Sequence, residues 1–226
     1  MAVSPGINEA GNLVESFVEA GMNEIAAQIL VAAIGLFAQK GYAATSVREI
    51  VKEAQVTNPM LYYYFESKEG VYRRLIAVLF DSLYETTEAV LSEGGPLRSR
   101  LRALGQMYFQ ACRESPETLR FVYAAIFGPS QGRPECDLLT YLQRSHEPVE
   151  AVFQRALDHG ELRPRPGHDA RLLTERFMGL VSNHLMGALA AQELVAPPEI
   201  DLWGDEVLDR MLDFFFFGAG DLSQES

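Results

Sequence analysis

The ten residues Val56 to Phe65, VTNPMLYYYF, bring three phenol hydroxyls, one alcohol and one amide into a stretch with no formal charge. In a helix, three consecutive residues point in different directions, so the three tyrosines cannot share one core face. At least one hydroxyl must reach something outside the domain. A second stretch, GPSQG at Gly128 to Gly132, has the G-x-S-x-G spacing of serine hydrolases. That chemistry needs a strand before Ser130 and a helix after it, at the top of a parallel sheet. Here the preceding LRFVYAAIF reads as helix, GRP follows, and the chain offers no βαβ repeat, so an enzyme is not expected.

His146, His159, His168 and His184 have no metal-ligand spacing and read as solvated or core residues. Cys112 and Cys136 lie far apart and form neither a metal pair nor a disulfide framework, which makes a reduced, cytoplasmic setting the default. No phosphate-cradling glycine loop is present. Neither a metal nor a cofactor is expected.

The elements that must position the tyrosines follow the helical period. Ile25, Ile29, Ala33, Leu36 and Phe37 form an apolar stripe that predicts a helix ending at Gly41. Val47, Ile50, Val51 and Ala54 repeat it in a shorter segment opened by Ser46-x-x-Glu49, a capping-box match. A third, very short helix fits Pro59 to Phe65, with Asn58 as the natural cap or Thr57 in its place and Pro59 at the first helical position. Ser67 caps a long fourth helix to about Ser92. Two short helices three or four residues apart form a helix-turn-helix candidate, with Val56 plugging the angle. Its turn falls on Gln55, where glycine would be easier if the backbone needs positive φ.

The chain has 226 residues, 48% hydrophobic, 22% charged and 10% aromatic, with a net charge of −12. That suits one globular unit or two small domains. No apolar run approaches the roughly 20 residues that span a bilayer, and the first residues carry no Lys or Arg, unlike a secretory signal. Residues 1–75 carry six Lys/Arg against eight Asp/Glu, while residues 76–226 carry thirteen against twenty-three. Net acidity argues against broad nucleic-acid affinity, but the first part is near neutral and leaves room for a local cationic face.

The segment ILVAAIGLFAQKGYAATSVREIVKEAQVTNPMLYYYFESKEGVY, Ile29 to Tyr72, resembles the DNA-binding head of TetR-family transcriptional regulators. The likeness joins a Leu-Phe…Gly-Tyr helix end, a Thr-Ser helix start, an Ala-x-Val turn, a Leu-Tyr-x-Tyr-Phe recognition helix and a Ser-Lys-Glu start. It implies an all-α chain: an N-terminal three-helix helix-turn-helix domain at 23–66, then a helical ligand-binding and dimerisation bundle at 67–217. Residues 1–22 are an extension, helical or from an upstream start, and 218–226 a frayed tail. Leu61 and Phe65 would face inward. Thr57, Asn58, Met60, Tyr62 and Tyr63 would face DNA, Arg48 would read a guanine, and Thr45 and Lys68 would hold phosphates on either side. Many members carry basic residues before the first helix; here the first cation is Lys40, so residues 1–22 are not expected to touch DNA.

Pro148 should kink or break a later helix near His146. Ala170 to Gln192 reads as a long helix, and Phe214 to Phe217 exceed what one helix face buries in a monomer, a mark of association. The resemblance implies a symmetric homodimer whose recognition helices stand roughly 34–36 Å apart on an imperfect palindrome. It also implies a pocket for a small-molecule effector, apolar or aromatic with one or two polar handles. The wall candidates begin with Phe80, Tyr84, Met107, Tyr108 and Cys112. Phe121, Tyr123, Phe127, Tyr141, Phe177 and His184 complete them. The alternative is a helical dimer whose head meets a protein partner instead of DNA.

Overall fold

The computed structural model describes residues 6–128, 132–163, 165–194 and 201–218, and among them there is no strand. The chain is all-α, as its periodicity requires. Helix α1 (Gly6–Glu19) comes first and packs on α2 through the buried Phe17. Asn23 then caps α2 (Glu24–Ala44), its side-chain oxygen accepting the Ile25 N–H at 3.0 Å. Regular helix stops at Lys40, because Gly41 adopts φ 80° and ψ 167°, an extended left-sided conformation natural only to glycine.

By length and composition α2 would pass as a membrane span, at a mean hydropathy of 1.3, contrary to the expectation that no such run exists. Its many alanines hide the apolarity in the sequence. Here it is a core helix, with Ala27, Ile29, Leu30, Ala33 and Ile34 buried.

Then follow α3 (Val47–Glu53), α4 (Asn58–Phe65), α5 (Lys68–Ser92), α6 (Leu97–Glu114), α7 (Pro116–Phe127), α8 (Leu138–Asp158), α9 (Ala170–Leu194) and α10 (Asp205–Phe217). Pro148 does not break α8, which runs through it. The missing N–H costs about 3 kcal/mol in a helix interior. Burial of Pro148 itself and of Val149, Val152, Phe153 and Ala156 offsets that cost.

The chain divides into two compact units. The first joins Met1–Ser82 to Glu114–Tyr141. Its core holds Ile29, Ile34, Phe37, Ile50, Leu61 and Leu75. Beside them Phe37, Tyr42, Tyr72 and Phe121 form an aromatic nest with ring centroids 5.2–5.9 Å apart. The second joins Leu83–Arg113 to Leu142–Ser226, around Phe153, Phe177 and Phe215. Within it Arg102 on α6 meets Asp209 at 2.9 Å and Asp205 at 3.0 Å on α10.

Candidate nucleic-acid interface

Local chemistry fixes α3 at both ends. At its start the Ser46 hydroxyl oxygen accepts the Glu49 N–H at 3.3 Å, and the Glu49 carboxylate accepts the Ser46 N–H at 2.8 Å, completing the capping box. Glu49 also accepts a hydrogen bond from Lys40, at the end of α2. These bonds, Lys40 first and Ser46 second, lower the Glu49 carboxyl to about 2. At its end the chain makes a Schellman turn: Val56 N–H donates to the Val51 carbonyl at 2.9 Å, and Gln55 N–H to the Lys52 carbonyl at 3.2 Å. Gln55, the expected turn position, sits at φ 57°, so the turn does need a left-handed residue there, and Ala54 is buried beneath it.

The turn delivers α4 with Thr57 as its N-cap, in extended backbone, while Asn58 is already helical and Pro59 stands second. Of the two caps expected, Thr57 is the one used rather than Asn58, and Pro59 moves from the first helical position to the second. Proline still costs no intrahelical bond there, because N–H groups of a first helical turn have no partner inside the helix. Neither Thr57 nor Asn58 uses its side chain as a cap, so both exposed side chains are left for an outside partner.

Leu61 and Phe65 are buried, which locks the roll of α4 against α2 and α3. That roll turns Met60, Tyr62 and Tyr63 outward, at 38%, 50% and 81% exposure. Tyr64 is half-buried, its ring edge-on to Tyr63 at 4.9 Å. The opening puzzle of three tyrosines thus resolves into two outward and one wedged. Arg48 on α3 is exposed, and the described residues offer it no ion pair.

Two expected phosphate contacts lie elsewhere. Thr45 is 2% exposed, and its hydroxyl donates to the Gly41 carbonyl at 2.9 Å. The glycine break leaves that carbonyl outside the helical ladder, and Thr45 satisfies it. Lys68 directs its ammonium at the Tyr42 and Thr45 carbonyls, at 2.8 and 2.7 Å, over the face of the Tyr42 ring. Desolvation lowers its pKa, against a smaller opposing pull from Glu49. Both residues brace the end of α2 rather than present themselves outward. Sequence reasoning missed this brace, and its signal was the Gly-Tyr pair at 41–42. The turn from α4 into α5 is equally tight: Ser67 caps α5 by accepting the Gly70 N–H at 3.0 Å, and a Cβ on Gly70 would strike the Phe65 carbonyl oxygen.

The expected effector-pocket residues fall in both units. Phe80, Phe121, Tyr123, Phe127 and Tyr141 belong to the first unit, and Tyr84, Met107, Tyr108, Cys112, Phe177 and His184 to the second. Phe127 is exposed, Phe80 and Tyr141 stack at 5.4 Å, and Phe177 is core. His184 stacks on Phe109 at 4.8 Å, with a ring nitrogen 2.7 Å from the Leu202 carbonyl oxygen. Helical periodicity marks such residues as inward-facing but cannot distinguish a cavity wall from core. Among them only Phe121 borders a cavity of about 300 Å³ in the first unit. Ser130 of the G-x-S-x-G stretch lies outside the described residues, and the element before it is the helix α7, not a strand.

The family profile described as "Bacterial regulatory proteins, tetR family" matches residues 29–75. The Bacillus subtilis (strain 168) protein named "Probable HTH-type transcriptional regulator YttP" is 31% identical over 137 residues, 59% of this chain and 63% of that one. The Staphylococcus aureus (strain Newman) icaADBC negative regulator IcaR is 39% identical over 51 residues, 23% of this chain and 27% of that one. The chain thus spans less than two thirds of either relative. In fold it is similar to the regulator FadR from Bacillus subtilis, solved with stearoyl-CoA, at a TM-score of 0.68 and 19% identity, covering 85% of this chain and 98% of that one.

Proposed function

We propose that the chain is a TetR-family transcriptional repressor, homodimeric and acting in the cytoplasm, which binds a palindromic DNA operator and releases it on binding a small, largely apolar effector. One observation carries the reading. The helix after the turn buries Leu61 and Phe65 completely enough to fix its roll, and it holds Thr57, Asn58, Met60, Tyr62 and Tyr63 exposed on the opposite side. A helix locked by its inner face and furnished with hydrogen-bonding groups on its outer face is what major-groove reading requires.

In this reading Arg48 takes a guanine edge. Tyr62 and Tyr63 reach the sugar-phosphate backbone or base edges, and Thr57 and Asn58 act at the positive end of α4. Residues 23–66 are the reading head, and 67–217 hold the effector and the partner subunit. Phe214 and Phe217, exposed at the end of α10, and Met186, exposed on α9, supply apolar surface for a second copy. The sign of regulation follows IcaR, a negative regulator by name, and the apolar effector follows stearoyl-CoA in FadR.

Selection of bound sequences from a random duplex pool tests the reading. An enriched inverted repeat, with affinity that falls steeply with salt, is expected. Recovery of an unenriched pool would reject it.

A further inference from the structure

We propose that the cavity in the first unit, bordered by the end of α2, by α5 and by α7, is a binding site for a small planar aromatic carboxylate. Its volume of about 300 Å³ is that of a compact ligand site. Phe37, Tyr42, Tyr72 and Phe121 line it with rings already stacked or edge-on to one another, a surface suited to a flat apolar body.

The polar part of the lining asks for an anion. Tyr72 is 2% exposed, and its buried hydroxyl lies beside the Arg133 guanidinium without forming a well-shaped hydrogen bond to it. Buried polar groups rarely remain unmatched without a functional reason. Burial pushes that phenol up to about 12, so at neutral pH it is a proton donor. Arg133 also lines the cavity, near enough to draw the Tyr72 pKa partly back down. Its guanidinium donates one bond to the Ala125 carbonyl and has further N–H groups. Lys40 adds a second cation, and no Asp or Glu is among the lining residues, in a chain of net charge −12. Three donors over an aromatic floor, with no carboxylate among the lining residues, match a carboxylate on a ring.

The position couples the site to the helix-turn-helix. Lys40 pairs with Glu49, whose carboxylate completes the α3 cap, and the Tyr42 carbonyl receives Lys68. An occupant that draws Lys40 away or displaces Tyr42 loosens both anchors and lowers operator affinity. That consequence rests on the DNA-binding reading; occupancy of the site does not.

Ligand-observed NMR on the full chain without DNA, using 2-naphthoate and the neutral 2-naphthylmethanol, tests the site. Naphthoate is expected to bind, with the alcohol about tenfold weaker for want of charge-assisted bonds. Arg133→Gln should weaken naphthoate by a similar factor. Ala44→Trp, which fills the cavity from an exposed bordering position, should abolish binding. Circular dichroism checks folding, and Arg133→Gln decides alone where Ala44→Trp does not fold. No naphthoate signal with wild type, equal affinity for the two compounds, or wild-type binding by a folded Arg133→Gln would overturn the site. An operator titration on the same sample separates the two questions, because naphthoate without operator binding rejects only the regulator reading.

Discussion

The Lys68 ammonium lies 2.8 Å from the Tyr42 carbonyl oxygen and 4.1 Å from the centroid of the same residue's ring. One cation therefore joins the Thr45 N–H as a donor to the Tyr42 carbonyl and lies over the ring of the same residue. It joins the end of α2 to the start of α5, with the helix-turn-helix held between them.

Lys68→Met should destabilise the protein by about 1–3 kcal/mol, since it leaves the Tyr42 and Thr45 carbonyls without a charged donor. Lys68→Arg should recover only part of the loss, because a planar guanidinium fork does not replace a compact ammonium between two converging oxygens. Denaturant unfolding measures both. Equal stability of Lys68→Met and wild type would show that the brace is idle.

Thr45→Val keeps the shape and removes the hydroxyl that donates to Gly41. It should lower stability by about 1 kcal/mol. The slope of log affinity for operator against log salt should not change, because no phosphate contact is lost. A slope reduced by about one would return Thr45 to the DNA-contacting set.

Tyr62→Ala should weaken operator binding by about 1–3 kcal/mol with little change in melting temperature, since half of its surface already faces solvent. Arg48→Ala should relax base preference at one position in each half-site. Leu61→Ala is the contrasting case: a fully buried side chain whose loss should cost about 2–5 kcal/mol of stability. Gel-shift titration beside thermal melting distinguishes contact from core.

Glu49 gives the acid limb of stability a specific source. Its folded-state carboxyl is held at about 2, against an ordinary 4.5, by Lys40 and then Ser46. A depressed carboxyl favours the folded state above the ordinary value, and that contribution disappears as the pH falls through about 2. Glu49→Gln should therefore melt at a temperature that changes less than wild type over this acid range. Parallel curves would place the acid sensitivity elsewhere.

The double substitution Phe214→Glu with Phe217→Glu puts charge on exposed apolar surface of α10. It should convert a dimer into a monomer without unfolding it, read as a halved mass by light scattering. A wild-type mass of one subunit would remove the dimer from the proposal.

The helices of the reading head were legible because each boundary is marked by one or two residues acting locally. Ser46 with Glu49 forms the predicted capping box, Ser67 caps α5, and the turn falls on Gln55 as expected. Leu61 and Phe65 fell inward from their i, i+4 spacing alone. Asn58 and Pro59 were misplaced by one position, as is common where several residues can serve as a cap. Of the two outcomes expected at Pro148, the break does not occur, because a local rule about a missing N–H says nothing of the core that the following turn buries.

What the sequence determined by itself is the run of helices, the caps of α3 and α5 and the outward tyrosines, since all of these depend on neighbours within about four residues along the chain. What only the tertiary structure decided is the destination of residues whose partners are distant in sequence. Thr45 and Lys68 carry the groups a phosphate contact needs, yet both close on the broken end of α2. The eleven pocket candidates have the right types, yet only Phe121 borders the cavity, beside a Tyr72 hydroxyl and an Arg133 that no spacing rule joins. Composition and period specify which face of a helix is apolar, but a cavity or a brace exists only where several such faces meet and fail to fill the space between them.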